Sequence, residues 1–258
     1  MIFWKRYNSI MDTLYGFFEK NPKVALAFSG GVDSSYLLYA AVNAGVDVRA
    51  YYAKSDFQPE FELEDARRLA AELGADMEII YLDVLADPMV ETNPSDRCYY
   101  CKKHIFRAII DHAHKDGYDI IMDGTNASDD IGDRPGVRAL REYGVRSPLR
   151  ECGLTKEGIR ILSKEAGLFT WDKPAYACLA TRIQTDQKIT YKTLKAVETC
   201  EGLMMDLGFR DFRVRVRGKN ALIQIREEDR NLFDTEEEYI LDNLKVYFSK
   251  VELDTVYR

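Results

Sequence analysis

Short continuous apolar runs alternate along the first half of the chain with longer stretches whose apolar residues recur every three or four positions. Val24, Ala25, Leu26, Ala27 and Phe28 form one such run, the pattern of a strand buried on both faces. A helix is predicted over 33–43 and ends at Gly45. A second strand follows over 46–53, then a helix over 59–73 with Pro59 near its start and Gly74 after its end. Residues 77–82 read as strand and 96–115 as a helix closed by Gly117. Residues 118–122 read as another buried strand, running into Asp123, Gly124, Thr125 and Asn126. Strands alternating with helices imply parallel strands joined by right-handed crossovers.

The pattern then changes. Residues 129–153 are rich in Gly, Pro, Arg and Asp and read as loop with one short helix. Thr155 and Glu157 open a helix over 155–166 that Gly167 closes, and 173–182, with Pro174 and Cys178, reads as loop. A helix over 191–207 precedes two period-two stretches, 212–216 and 222–225, joined by the hairpin turn Gly218, Lys219, Asn220. A last helix spans 231–248, and 251–257 reads as a final strand. The change of pattern places a boundary near 173, giving domains 1–172 and 173–258. The fold class expected is α/β, a parallel-sheet domain followed by a smaller C-terminal α+β domain.

Composition narrows the functional classes. The 258 residues are 46% hydrophobic and 31% charged, ordinary for a globular protein of one or two domains. A net charge of −7 and a pI near 5.2 oppose a general polyanion binder, so no nucleic-acid partner is expected. The longest mostly apolar stretch, 24–44, is interrupted by Ser29, Gly30, Gly31, Asp33, Ser34 and Ser35, whereas a membrane span needs about 20 apolar residues. The start, Met1 to Arg6, carries no apolar core with a cleavage site, so no membrane and a cytoplasmic location are expected. Five cysteines, an odd count, make a disulfide framework a poor reading.

The sharpest chemical signal is Ser29-Gly30-Gly31-Val32-Asp33-Ser34-Ser35, where a buried strand turns into a helix. Glycines let the backbone approach an anion, the unpaired N–H groups of the helix start point at it, and three serine hydroxyls add donors. The segment lacks the Gly-Lys-Ser/Thr ending of a Walker A loop and is not Gly-x-Gly-x-x-Gly. Gly124, Thr125 and Asn126, after a predicted strand, fall on the same carboxyl edge of a parallel sheet. Lys54, after the second strand, is a weaker candidate for the nucleotide's adenine end.

This signature resembles the Ser-Gly-Gly-x-Asp-Ser loop of the PP-loop ATP pyrophosphatases, whose fold is adenine nucleotide alpha hydrolase-like. The resemblance implies cleavage of ATP to AMP and pyrophosphate, with Ser29, Gly30, Gly31, Ser34 and Ser35 at the phosphates and Asp33 positioning Mg2+. Along nearly the whole chain the sequence resembles the LarE family. The carrying segments are Cys98-Tyr99-Tyr100-Cys101-Lys102-Lys103, Asp123-Gly124-Thr125-Asn126, Asp133-Arg134-Pro135-Gly136, Arg146-Ser147-Pro148-Leu149, Trp171-Asp172-Lys173-Pro174-Ala175, Cys178-Leu179-Ala180-Thr181-Arg182 and Phe212-Arg213-Val214-Arg215. LarE-like proteins act in making the nickel-pincer nucleotide. They adenylate a carboxylate of pyridinium-biscarboxylate mononucleotide and install sulfur as a thiocarboxylate. Relatives form ring-like oligomers, so the resemblance also implies a homo-oligomer and hand-over of product to other enzymes of nickel-pincer synthesis.

The family has a sacrificial-cysteine type and a type with three cysteines on a 4Fe-4S cluster. Cys98, Cys101 and Cys178 match the second, as catalytic residues and metal ligands, with three thiolates leaving one iron open. The residues alone leave other readings standing: Zn2+ on these cysteines with His104, a thiol–disulfide pair, or sacrifice of Cys178 alone. Other PP-loop chemistry with a structural zinc (amide or thioamide formation from free ammonia or sulfide) also stands, as does a zinc-stabilised nucleotide-binding module without turnover. Cys200, on an apolar helix, reads as core. Arg213 and Arg215 alternate with Val214 and Val216, so both face one side of a strand with Arg217. The resemblance makes Arg213 and Arg215 the binders of substrate phosphate; Arg182, which follows Cys178 closely, is a candidate contact for the adenylate or acceptor, and Lys102, beside Cys101, a fainter one. His112 and His114 read as surface residues.

Overall fold

The structure, a computed structural model, describes residues 2–130, 132 and 135–254, with side chains from residue 11 onward apart from Pro135. Met1, the Asp133-Arg134 pair that carries part of the resemblance, and the end of the strand expected over 251–257 therefore lie outside the described residues. In chain order the elements are α1 (Ile2–Lys20), β1 (Lys23–Ala27), α2 (Val32–Asn43), β2 (Asp47–Lys54), α3 (Glu60–Leu73), β3 (Asp76–Tyr81), α4 (Pro88–Glu91), α5 (Arg97–Lys115) and β4 (Ile121–Asp123). They continue as α6 (Pro135–Glu142), α7 (Pro148–Glu151), α8 (Lys156–Glu165), α9 (Tyr191–Asp206), β5 (Arg213–Arg217), β6 (Asn220–Gln224), α10 (Arg230–Leu244) and β7 (Lys250–Leu253).

The chain divides into two compact units. The first comprises Met1–Ser55, Glu60–Leu82 and Cys98–Lys173, and its sheet is parallel throughout in the order β3-β2-β1-β4. Central β1 is buried on both faces, as its continuous apolar run dictates. Val24 and Leu26 join Leu37, Leu38, Leu63 and Ile159 in one apolar cluster. Ala25, pointing the other way, joins Tyr51, Ile109, Ala113 and Ile121 in a second. The order matters for function. The chain builds β1, β2 and β3 outward on one side and then returns to place β4 on the other, so the strand order reverses beside β1. Ligands of open parallel sheets bind at that reversal, outside the carboxyl ends of the strands.

The second unit comprises Asp56–Pro59, Asp83–Arg97 and Pro174–Arg258. Strands β5 and β6 form the expected hairpin, with Arg217 paired to Asn220 and Gly218 in the left-handed region at φ 59°. Strand β7 adds in parallel to β6, giving the order β5-β6-β7. Val214, Val216, Ile223, Cys200, Met204 and Phe233 are all buried in this unit. The two short segments that a single cut near 173 leaves in the first domain belong here because their hydrogen bonds do. Phe57 O accepts from Leu179 N at 2.9 Å, Asn93 Nδ2 donates to Gln184 O at 2.8 Å, and Tyr191 donates to Asp83 at 2.6 Å.

Several elements differ from the sequence reading, the short helix α4 among them. Helix α1 precedes the first strand, where no element was expected, and buries Leu14, Phe17 and Phe18. The 129–153 stretch holds two helices, α6 and α7, the second started by Pro148 at its first turn. Strand β4 starts only at Ile121, because Tyr118 closes α5 by donating its N–H to Ala113 O. Helix α10 stops at Leu244, not 248. No helix among the described residues is long and apolar enough to cross a membrane. Truncating Leu26, fully buried in the central strand, to Ala is expected to cost about 2–5 kcal/mol, read from chemical denaturation.

Candidate functional site

The loop after β1 is built for something outside the protein. Gly30 sits at φ 70°, and a Cβ there would meet Ala66 Cβ at 3.2 Å and Glu62 O at 3.3 Å, so the fold itself requires glycine. Gly31 is different. Its backbone is ordinary extended chain, and a Cβ there would meet only the Ser29 hydroxyl, at 3.5 Å. The protein leaves that space open above the start of α2, whose N-cap Gly31 supplies no side-chain acceptor. An uncapped helix start presents unpaired N–H groups and the positive end of the helix dipole. Ser29 Oγ and Ser34 Oγ lie 3.0 Å apart, and Ser34 Oγ donates to Gly31 O, so the two hydroxyls are held at the loop. Ser35 departs from the expected role. It is fully buried, and its hydroxyl has no hydrogen-bond partner among the described residues.

The turn after β4 locks onto this loop. A Cβ on Gly124 would lie 2.8 Å from Ser34 N and 3.1 Å from Ser34 Cα, so the turn touches the backbone of α2 directly. Buried Asp123 holds the turn by accepting from Thr125 Oγ1 at 2.5 Å, Thr125 N at 3.3 Å and Ser147 Oγ at 2.6 Å. Asn126 is buried, donates from Nδ2 to Asp33 at 3.4 Å, and accepts from Ser128 N. Ser29, Gly30, Gly31, Asp33, Ser34, Gly124, Thr125 and Asn126 are thus assembled at the reversal point of the first unit's sheet. Lys54 ends β2 on the same edge and pairs with Glu60 at 3.2 Å.

Asp33, at the second position of α2, meets a residue the sequence reading missed. Lys156 Nζ donates to its carboxylate at 2.5 Å from the first position of α8. Burial raises the Asp33 pKa, and Lys156 opposes that shift. The helix itself was legible, with Thr155 Oγ1 capping Gly158 N at 3.3 Å, but nothing in the local sequence says that its first lysine reaches across to α2.

Cys98 and Cys101 stand one turn apart on α5 in the first unit, the former exposed and the latter buried. Cys178, half-buried, lies in the second unit. Within that unit Arg97, the residue before Cys98, donates to Ala180 O at 3.0 Å, two residues past Cys178. His104 is exposed. Among the described residues no group of three or more His, Cys, Asp or Glu is placed to hold a metal ion. Burial pushes the Cys152 thiol to about 11 and the Cys200 thiol to about 12, which keeps both protonated and unreactive near neutral pH. His112 is no free surface residue: it is half-buried, with Nδ1 2.6 Å from Glu78.

In the second unit the Cys178 segment and the arginine strand share one carboxylate. Glu201, only 1% exposed, accepts from Arg182 Nε and Nη2 at 2.9 Å each, from Tyr176 at 2.5 Å and from Val214 N at 2.8 Å. Arg182 also donates to Ala177 O and Thr181 Oγ1 and stacks on Tyr176. It is fully buried, so it holds the 176–182 turn together and presents no guanidinium face to a nucleotide. An acidic residue on the apolar face of the 191–207 helix, beside Val197, Cys200 and Met204, is the sequence signal for such a hub. Arg213, Arg215 and Arg217 do line one face of β5, grading from buried to half-buried to exposed. Arg213 donates to Ala175 O at 2.6 Å, and Arg215 to Thr181 O at 2.7 Å and Gln224 at 2.9 Å.

No family model matches the chain. An uncharacterized protein of Synechocystis sp. is 35% identical over 221 residues, 85% of this chain and 82% of the relative. The pyridinium-3,5-bisthiocarboxylic acid mononucleotide synthase of Lactiplantibacillus plantarum is 34% identical over 217 residues, 83% of this chain and 79% of the relative. A tRNA-specific 2-thiouridylase, MnmA, of a Thermotoga species is 25% identical over 189 residues, 57% of this chain and 52% of the relative.

Two substitutions test this geometry. Gly124→Ala is expected to push the 123–126 turn off α2 and cost about 1–3 kcal/mol of stability, measured by denaturant unfolding. Glu201→Ala strips a buried arginine of its partner and is expected to cost about 3–5 kcal/mol in denaturant unfolding.

Proposed function

The chain belongs to the LarE family, a branch of the PP-loop enzymes, and on that basis we propose that it is an ATP-dependent sulfur transferase acting on pyridinium-biscarboxylate mononucleotide. The observation that carries the nucleotide half of this reading is Gly31, a glycine that the fold does not need, at an uncapped helix start. A phosphate group fits that space and takes up the open N–H groups. Asp33 is the carboxylate we assign to the Mg2+ that would travel with the triphosphate, an ion that would shield the phosphate charge from the attacking oxygen.

The chemistry follows from what a carboxylate lacks. It is anionic and its oxygen leaves badly, so direct attack by sulfur fails. In the proposed first step a carboxylate oxygen of the acceptor attacks the α-phosphorus, the bond to the β-phosphate oxygen breaks, and pyrophosphate leaves. The acyl adenylate now carries a good leaving group. A sulfide nucleophile then attacks the acyl carbon and AMP departs with the bridging oxygen, leaving a thiocarboxylate. The loop N–H groups and the Ser29 and Ser34 hydroxyls stabilise charge on the departing pyrophosphate. For the acceptor's phosphate, a dianion suited to paired guanidiniums, we propose Arg215, half-buried on β5, joined by Arg213 only if that buried side chain leaves Ala175 O.

For sulfur we propose the cluster route, with Cys98, Cys101 and Cys178 as ligands. Three thiols are the right donor set, and two of them lie one helical turn apart. A 4Fe-4S cluster held this way would supply an open iron for exchangeable sulfur.

Incubation with ATP, Mg2+ and pyridinium-biscarboxylate mononucleotide is expected to release pyrophosphate in step with acceptor consumed. Asp33→Ala is expected to lower that rate by about 100-fold or more. Pyrophosphate release that persists in Asp33→Ala would overturn the site. Anaerobic analysis is expected to give about four irons and at least four acid-labile sulfides per chain. One zinc and no sulfide would replace the cluster with a structural site.

A further inference from the structure

The second unit holds a feature that the proposed reaction does not use. Helix α9 turns Leu194, Val197, Cys200 and Met204 inward, and all four are buried. Its other side carries Thr199, Gly202, Leu203 and Asp206, which share one face because they stand at i, i+3, i+4 and i+7. With Leu207, and with Tyr239 of α10, they line a groove of about 340 Å³. Tyr239 is 54% exposed there, an aromatic ring left at the surface. Gly202 lies inside the helix, where glycine costs stability relative to alanine, yet a Cβ there would meet nothing within 4 Å. The fold does not need this glycine, and its missing side chain keeps the floor of the groove open.

The charges at the groove decide what it fits. Lys195 of α9 pairs with Glu198 at 2.9 Å, and Lys245, just past α10, pairs with Asp242 at 3.2 Å. Asp206, in the groove, and Glu236, one turn before Tyr239, meet no cation among the described residues. We propose that this groove docks a basic amphipathic helix of a partner protein. An apolar side chain of that helix enters beside Gly202, and flanking lysines or arginines meet Asp206 and Glu236. A groove between two helices receives a third in this way, through anchors at i, i+3 and i+4. Tyr239 suits such a contact, since it offers ring surface and a polar tip. A second copy presenting the same groove would set Asp206 and Glu236 against their own counterparts, and like charges across an interface oppose association. Every residue involved belongs to the second unit, so the inference stands apart from the ATP reading of the first.

The test is fluorescence anisotropy with the full chain and a labelled synthetic helix-forming peptide, carrying leucines at i, i+3, i+4 and i+7 and lysines on both flanks. Wild-type protein is expected to bind it, and to bind the same peptide with glutamates for lysines about tenfold or more weakly. Gly202→Leu, which fills the groove floor, and Asp206→Lys are each expected to weaken the lysine peptide about tenfold or more. Glu64→Lys, on an exposed position of α3 in the first unit, is expected to leave binding within about twofold. If Gly202→Leu does not fold, Gly202→Ala carries the comparison, and denaturant unfolding is expected to find it no less stable than wild type. Binding unchanged in Gly202→Leu would overturn the proposal, as would an equal loss in Glu64→Lys or a wild-type protein with no affinity for the peptide. So would a fall in the sedimenting mass of the free protein on Gly202→Leu, which would assign the groove to a second copy.

Discussion

Direct backbone contact between the turn after β4 and the first turn of α2 is the constraint on which the first unit's site depends. At Gly124 there is no room for even one carbon beyond the main chain, since a Cβ would stand 2.8 Å from Ser34 N. That contact exists only because β4 pairs beside β1, in register from Ala25 to Ala27, so that both strands deliver their following loops to one edge. Asn126 then reaches Asp33, and Asp123 gathers Thr125 and Ser147 behind the turn. A parallel sheet of four short strands is thereby converted into a rim of N–H and hydroxyl donors.

The second unit solves a different problem with one buried charge. A carboxylate taken out of water is costly unless every oxygen finds donors, and a lone buried guanidinium is no better. Glu201 and Arg182 satisfy one another with two bonds, and the remaining capacity of Glu201 is taken by Tyr176 and by the N–H of Val214. The consequence is positional. Cys178 and Arg213 sit on opposite sides of this carboxylate in the network, so the turn carrying the thiol and the strand carrying the arginines are held to one another through Glu201. Tyr176 adds its ring, with Arg182 and Arg213 at 4.3 and 5.4 Å from its centroid.

What could be read from sequence follows the range of the interaction. Strands β1 to β3 and helices α2, α3, α5, α8 and α9 were legible, because apolar periodicity and Gly or Thr at the ends are local signals. The site loop was legible for the same reason: strand, glycines and helix lie within a dozen residues. Helix α1 was not, since its partly polar sequence becomes a helix face only where Leu14, Phe17 and Phe18 pack into the first unit. The assignment of 56–59 and 83–97 to the second unit depends on bonds from Phe57, Asn93 and Asp83 to residues about a hundred positions away. Arg182 shows the limit most plainly. Its neighbourhood in sequence suggested a ligand contact, whereas its fate was decided by Glu201, nineteen positions on and one helix away.

Asp33 and Glu201 meet their cationic partners in two different ways, and the difference lies in exposure and donor type. Glu201 meets a planar, always-charged guanidinium in a fixed double bond with no exposed surface, an arrangement with nothing left to exchange. Asp33 meets a single flexible ammonium at a solvent-facing mouth, with a weak second contact to Asn126 at 3.4 Å. Burial raises the Asp33 pKa and Lys156 opposes that shift. Exposure and donor type, more than distance, distinguish the two, because both pairs lie within ordinary hydrogen-bonding reach. The Asp33–Lys156 pair is partly open to solvent, and the edge on which it lies is the one to which the first unit's sheet delivers its loops.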